Sequence, residues 1–349
     1  MATVRLISRI KMGCSWVLAC ALLTSAHATE VIELSGQTMG TGFSLVLPCC
    51  PSESRRDLLS DRVVERLTRL EAVFSTWIDD SELSRFNRVR DDRWVPVSPW
   101  LADLALQSID LHRATAGAFD PSVSALVELW GFAREGGRRS IPAADAQARA
   151  LARVGLHRLD VRAGVAPALK KRSADLALDL SAVAKGYAVD LLVALLVQQG
   201  EADFLVEIGG EVRANGVHPG GRPWQVAVEN PDPGSRTPLL LVPLQDAALA
   251  TSGHYRNYRQ IGGKPRSHLI DPRSGRPVEH RLIAVTVLAD TALRADALTT
   301  ALMVMGEEKG VAWAEQENLD ALFVQAPGAR TRYIGVGRFR EWLATSRPD

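Results

Sequence analysis

Apolar residues recur along this chain at two spacings. From Arg55 to Phe74 they stand three or four apart, at Val63, Val64, Leu67, Leu70, Val73 and Phe74. That spacing predicts a helix with one buried face. Leu191, Leu192, Ala194, Leu195 and Leu196 repeat it and predict a helix over 181–199. Further helices are expected from Pro99 to Thr115 and at 143–154, 293–305, 307–317 and 338–343, with a short one opening at Ser81. Alternating or short apolar runs predict strands at 31–34, 43–47, 156–161, 174–179, 204–208, 224–228, 239–242, 247–251, 282–288, 319–325 and 331–336. This mixture reads as a mixed α/β fold, largely antiparallel strands with packed helices.

The connections carry their own signals. Gly36-Gln37-Thr38-Met39-Gly40-Thr41-Gly42 joins the first two strands. Its glycines permit a sharp turn and the close approach of a ligand. Gly209-Gly210 ends the strand at 204–208 and reads first as a tight turn. The Pro, Gly and Asp residues between Asn230 and Pro238 read as a hairpin loop. No internal repeat and no long linker interrupts the chain.

Composition changes this picture little. Of 349 residues, 46% are hydrophobic and 23% charged, which supplies ample core. The formal net charge of +1, with no basic stripe carrying interleaved aromatics, gives no reason to expect nucleic acid as a partner. The N-terminus reads as an export signal. Arg5, Arg9 and Lys11 precede an apolar run from Cys14 to Leu23, too short to span a bilayer, and Ala26-His27-Ala28 fits a cleavage site. Cleavage after Ala28 leaves 29–349 as a single domain and points to an exported, soluble protein. A lipoprotein signal ending at Cys20 is the rival. Cys49 and Cys50 are sequence neighbours, which pair only with strain, so no disulfide framework is indicated.

Candidate chemistry concentrates in a few stretches. Between Leu178 and Val189 a strand-like run turns into a helix. Ser181 is a candidate N-cap, and Lys185 falls in the first turn, where a cation has more reason to stand if an anion shares the site. Asp296 and Thr300 are four apart and share one helix face. They read either as two oxygen ligands for Mg²⁺ or as a dipole-complementing Asp and a back-bonding Thr. His268 stands beside Asp271, where acid–base work or phosphate binding is open alongside a structural role. Arg256 and Arg259, among Tyr255 and Tyr258, suit either phosphate or a solvated face. Trp77 precedes a polar loop, as a core residue beneath it or as a stacking surface.

Eight blocks together resemble the ApbE family of flavin transferases: MGT at 39–41, STWIDDSELSRFN at 75–87, GAFDPSV at 117–123, LDLSAVAKGYAVD at 178–190, GGEVRANG at 209–216, TSGHYRNY at 251–258, HLIDPRSG at 268–275 and ADALTTALMVMG at 295–306. The resemblance implies a two-lobed domain with the active site in the cleft between lobes. It implies transfer of FMN from FAD to a threonine hydroxyl of a partner protein, a subunit of a membrane redox complex, with release of AMP. It implies that Asp296, Thr300 and the Ala182 carbonyl hold Mg²⁺, and that Met39, Trp77, Ala118, Phe119, Asp120, Asp179 and Ile270 hold the FAD. Lys185 would add a cation, though some relatives carry an acidic residue there. Trp77 stands where Tyr is common. His268 is the candidate base for the acceptor hydroxyl, with Asp271 behind it. Two alternatives remain open on sequence: an Mg²⁺-dependent FAD pyrophosphatase giving FMN and AMP, and an exported FAD-binding protein without catalysis. Mass spectrometry of the exported protein is expected to find Thr29 as the first residue; an acylated Cys20 would overturn that reading.

Overall fold

The computed structural model describes residues 31–48, 53–133, 140–230, 237–253, 258–326 and 331–346. The export signal, Cys49, Cys50, Tyr255 and Arg256 lie outside them. The chain opens with β1 (Val31–Thr38) and β2 (Thr41–Pro48). Helices α1 (Glu53–Phe74) and α2 (Glu82–Arg88), strand β3 (Trp94–Pro96) and helices α3 (Pro99–Ala114), α4 (Ser124–Leu129) and α5 (Ala144–Leu151) follow. Then come β4 (Leu159–Arg162), β5 (Ala168–Lys171), α6 (Ala184–Gln198), β6 (Phe204–Ile208) and β7 (Glu211–Asn215). The second half holds β8 (Trp224–Val228), β9 (Leu240–Leu244), β10 (Ala248–Gly253), β11 (Tyr258–Ile261), β12 (Lys264–Ser267), β13 (Ile270–Asp271) and β14 (Arg276–Pro277). It ends with β15 (Leu282–Ala289), α7 (Ala292–Gln316), β16 (Asp320–Gln325), β17 (Arg332–Val336) and α8 (Arg338–Ser346).

An eight-stranded sheet in the order β1-β2-β6-β7-β10-β15-β16-β17 is the frame. Every strand pairing among the described residues is antiparallel. Alternation along β6 explains its double burial. Phe204, Val206 and Ile208 join the core shared with α1, α3 and α6, while Leu205 packs on the opposite face beneath the β8–β9 hairpin and α8. Helix α7 covers a third cluster with β15 and β16, through Leu298, Leu302, Val285 and Phe323. The residues between β2 and β6 form an insertion with its own small sheet, β3-β5-β4. The expected mixture of antiparallel strands and packed helices is the fold observed.

Several local expectations are corrected. The first hairpin closes on Met39-Gly40 alone, and the strands run to Thr38 and Thr41 instead of stopping at 34 and 43. Both turn residues have positive φ, 48° and 74°, the conformation of a tight two-residue hairpin loop. The strand expected at 174–179 does not form. Leu178 lies outside any strand, and its backbone partner is the Asn87 side chain, which donates to the Leu178 carbonyl at 2.8 Å and accepts from its N–H at 2.9 Å. One amide thus replaces a neighbouring strand. The segment 156–161 starts as a single helical turn at Leu156–Arg158 and is a strand only from Leu159. Gly306, at φ 77°, divides α7 into 292–305 and 307–316, as the apolar pattern suggested.

Ser181 is not the cap of α6. The cap position is Val183, with no side-chain bond, and Ser181 is exposed. The cap comes from elsewhere: Asp296 of α7 accepts the Gly186 N–H at 3.0 Å. In return Asp190 of α6 accepts the Ala292 and Leu293 N–H groups that open α7, at 3.0 and 2.9 Å, and pairs with Arg213 of β7. Each helix start thus has a carboxylate of the other helix among its partners, and α7 adds its own cap, Thr291, whose hydroxyl accepts the Arg294 N–H at 3.2 Å. The contact is close. A Cβ on Gly186 would stand 2.4 Å from the Ala292 carbonyl oxygen, so no other residue fits there. Asp190→Ala is expected to cost about 2 kcal/mol of unfolding free energy, because it strands two N–H groups and a guanidinium. Urea titration measures this; a loss below about 0.5 kcal/mol would mean that apolar packing alone holds the two helices.

Candidate active site

The crossed starts of α6 and α7 gather three charges. Lys185 Nζ lies 3.3 Å from Glu211 Oε1 and 3.7 Å from Asp296 Oδ2. Asp296 is 2% exposed and Glu211 4%. Burial works against the Lys185 ammonium, but the Asp296 and Glu211 carboxylates more than offset it and hold its pKa above the usual lysine value. Burial, then the charge of Asp296, pushes Glu211 well above the usual carboxylate range, and Lys185 pulls it only partly back. Burial also raises Asp296, against the pull of Lys185 and the Gly186 N–H. The early lysine therefore finds its anions in the protein's own carboxylates.

Two further oxygen donors are candidates to join Asp296 about a hard cation. Thr300, one turn along α7 and partly buried, shares its face. Ala182 precedes α6, and the Gly186 N–H, the donor four residues on, is given to Asp296. Among the described residues no three His, Cys, Asp or Glu side chains gather as a metal cluster. A cation held here would rest on one carboxylate with hydroxyl and carbonyl oxygens, a donor set that fits magnesium. Thr299 has a different task. Its hydroxyl donates to the Asp296 carbonyl at 2.7 Å and shares a 2.8 Å bond with Ser252 of β10, fixing α7 to the sheet.

The segments expected to hold a flavin are each set by local bonds. Met39 sits in the left-handed region because Glu71, in the last turn of α1, accepts both its N–H and the Thr38 hydroxyl, the latter at 3.2 Å. Just past α1, the Ser75 hydroxyl accepts the N–H groups of Trp77 and Ile78 at 3.1 and 3.2 Å. Trp77 is 80% exposed, which removes the core reading and leaves an open aromatic face. Ala118, Phe119 and Asp120 are buried. Asp120 accepts from the Ser122 N–H and hydroxyl at 2.8 and 2.6 Å, and its other oxygen lies 3.3 Å from His112 Nδ1. The Asp179 N–H donates to the Pro121 carbonyl at 2.6 Å, which joins this segment to the one leading into α6. Ile270 is buried with Leu126 and Trp130.

His268 lies partly buried between β12 and β13. Asp271 is engaged by Arg273, whose side chain donates at 2.8 and 3.1 Å, so its charge is already balanced. Arg259 reaches the Gly131 carbonyl and lies over the Phe132 ring at 5.8 Å, a packing role. Sequence reasoning missed Glu71, Asp190 and Glu211. Glu211 carried a signal, an acid directly after a Gly-Gly turn; the other two only look like acids on helices.

Comparison with known proteins gives a family and a fold. The model of the ApbE family matches residues 39–323. A protein of Escherichia coli (strain K12) named FAD:protein FMN transferase is 36% identical over 322 residues, 92% of this chain and 92% of the relative. The solved flavin transferase ApbE from Vibrio cholerae superposes with a TM-score of 0.80 at 35% identity, covering 90% of this chain and 99% of that one. The apo flavinyl transferase ApbE of Pseudomonas stutzeri gives 0.81 at 36% identity, over 90% and 97%. With a match over most of its length in sequence and in fold, the chain belongs to the ApbE family.

Proposed function

We propose that this protein is an FAD:protein FMN transferase that moves FMN from FAD to a threonine hydroxyl of an exported partner, a subunit of a membrane redox complex. The observation that carries the reading is the buried Asp296 at the crossed helix starts, bonded to the first turn of α6 and sharing its helix face with Thr300. In the reaction the threonine oxygen bonds to the phosphorus of the FMN half. The bond from that phosphorus to the bridging oxygen breaks, AMP leaves, and the hydroxyl proton passes to a base. Asp296, Thr300 and the Ala182 carbonyl would hold Mg²⁺, which when bound offsets the charge of the pyrophosphate.

The chain's own groups do the rest. Lys185 adds a second positive charge near the pyrophosphate. Trp77 offers a face for a flavin or adenine ring, Met39 and the backbone of 118–120 shape the site, and Asp179 fixes the turn before α6. Ile270 backs the hairpin that carries His268, the candidate proton acceptor. Export follows from the N-terminal signal. Here FAD is substrate, not a resident cofactor.

Incubation with FAD, Mg²⁺ and a threonine-bearing acceptor domain is expected to add the mass of an FMN phosphoester to the acceptor, and EDTA to abolish it. AMP and free FMN without labelling of either of two acceptors would make water the acceptor; intact FAD would leave a carrier. Asp296→Ala is expected to remove transfer while the chain still folds, and retained transfer would sink the metal assignment. Trp77→Ala should weaken FAD binding roughly tenfold, in line with the loss of one stacking face. Its stability should move by less than about 0.5 kcal/mol because the ring is exposed. Unchanged FAD affinity in a titration would remove Trp77 from the site.

A further inference from the structure

Glu211 is used by no step above, yet it is a charged group buried to 4% exposure. Its Oε1 takes the Lys185 ammonium, and its Oε2 is buried with no hydrogen-bond partner. Lys185 has a second carboxylate, Asp296, at nearly the same distance, 3.7 against 3.3 Å. Its stem lies along the Gly209 turn, where Lys185 Cδ would be 3.3 Å from an added Cβ. The head can thus turn from one carboxylate to the other while the stem stays in place.

We propose that Lys185 competes with the divalent cation for Asp296, and that Glu211 is the second seat that takes the ammonium when the cation arrives. The proposal rests on the reading of Asp296 as a cation ligand. A cation bound to Asp296 stands close to Nζ, and two like charges repel strongly in a buried site. The repulsion is relieved if the ammonium moves fully onto Glu211, whose free oxygen can accept a second of its three hydrogens. Glu211 is therefore a positioning residue: it acts on the cation only through Lys185. The Lys185 ammonium offsets the charge of the two carboxylates it touches, so little net negative charge is left in the site. That is too little to hold a divalent cation tightly before the anionic pyrophosphate enters.

The test is binding of Mn²⁺, followed by electron paramagnetic resonance, to the EDTA-stripped full chain without FAD. Glu211→Gln removes the second seat's charge and is expected to weaken Mn²⁺ binding roughly tenfold, the scale of one screened charge contact. Lys185→Met removes the competitor and is expected to tighten it by a similar factor, and the double variant should bind more tightly than Glu211→Gln alone. Lys185→Met also serves if Glu211→Gln fails to fold. A purely structural role for Glu211 would lower thermal stability and leave the Mn²⁺ affinity of Glu211→Gln at the parent value. Unchanged affinity in Glu211→Gln, or weaker binding in Lys185→Met, overturns the proposal. Asp296→Ala separates the two levels: if it binds Mn²⁺ as the parent chain does, the cation reading itself falls and this proposal with it.

Discussion

The structure depends on the exchange of carboxylates between the starts of α6 and α7. A helix start leaves N–H groups without partners, and here each start is answered by an acid on the other helix. The exchange works only at very short range, which is why position 186 must be glycine. It also fixes register. Asp190 lies one turn beyond Gly186, so the two bonds pin the helices against both sliding and rotation. The turn before α6 and the face of α7 carrying Asp296 and Thr300 then meet at a constant spacing. They belong to segments more than a hundred residues apart, and this exchange sets their register where apolar packing of the two helices brings them together.

A site built this way has to bury charge. Asp296 cannot serve α6 as a cap and remain in water, so its burial raises the cost of ionising it. Lys185 and the Gly186 N–H offset that cost, and Glu211 enters as the lysine's other partner. Removing any one of the three leaves the others uncompensated. On the proposed function, the same charges are what a bound cation would meet. Stability and function draw on one set of charges, so the architecture that holds the helices also tunes the site.

How much of this was legible depended on how far apart the interacting residues stand in sequence. The helical pairing of Asp296 with Thr300 is a spacing of four and could be read directly, as could the Gly209-Gly210 turn and the division of α7 at Gly306. The remaining candidate site residues rest on the eight blocks of resemblance. What stayed hidden were partners set by tertiary contact. Asn87 standing in for a strand beside Leu178 looks like any polar residue on a short helix. Ser181 satisfied every local rule for a cap, and was displaced because a carboxylate 110 residues from Gly186 was better placed. Glu71 sits where the helix dipole disfavours an acid; that local misfit is explained only once the Met39 turn lies against it.

Glu71 also shows how the segments proposed to face the flavin are held in shape by local bonds. A methionine in the left-handed region is unfavourable, and persists because the carboxylate holds its N–H. At 118–120 the side chains turn inward, and Asp120 spends its oxygens on Ser122 and beside His112. Ser122 in turn takes the Gly155 N–H at 2.6 Å, and Asp179 ties on through Pro121. A ligand lying against this segment therefore meets backbone, whose shape is fixed by acids and hydroxyls beneath it. Among the residues proposed to hold FAD, Trp77 is the one whose ring is exposed. Discrimination for a flavin then rests on the contour of held loops and one stacking face, and such a surface pays little ordering entropy on binding.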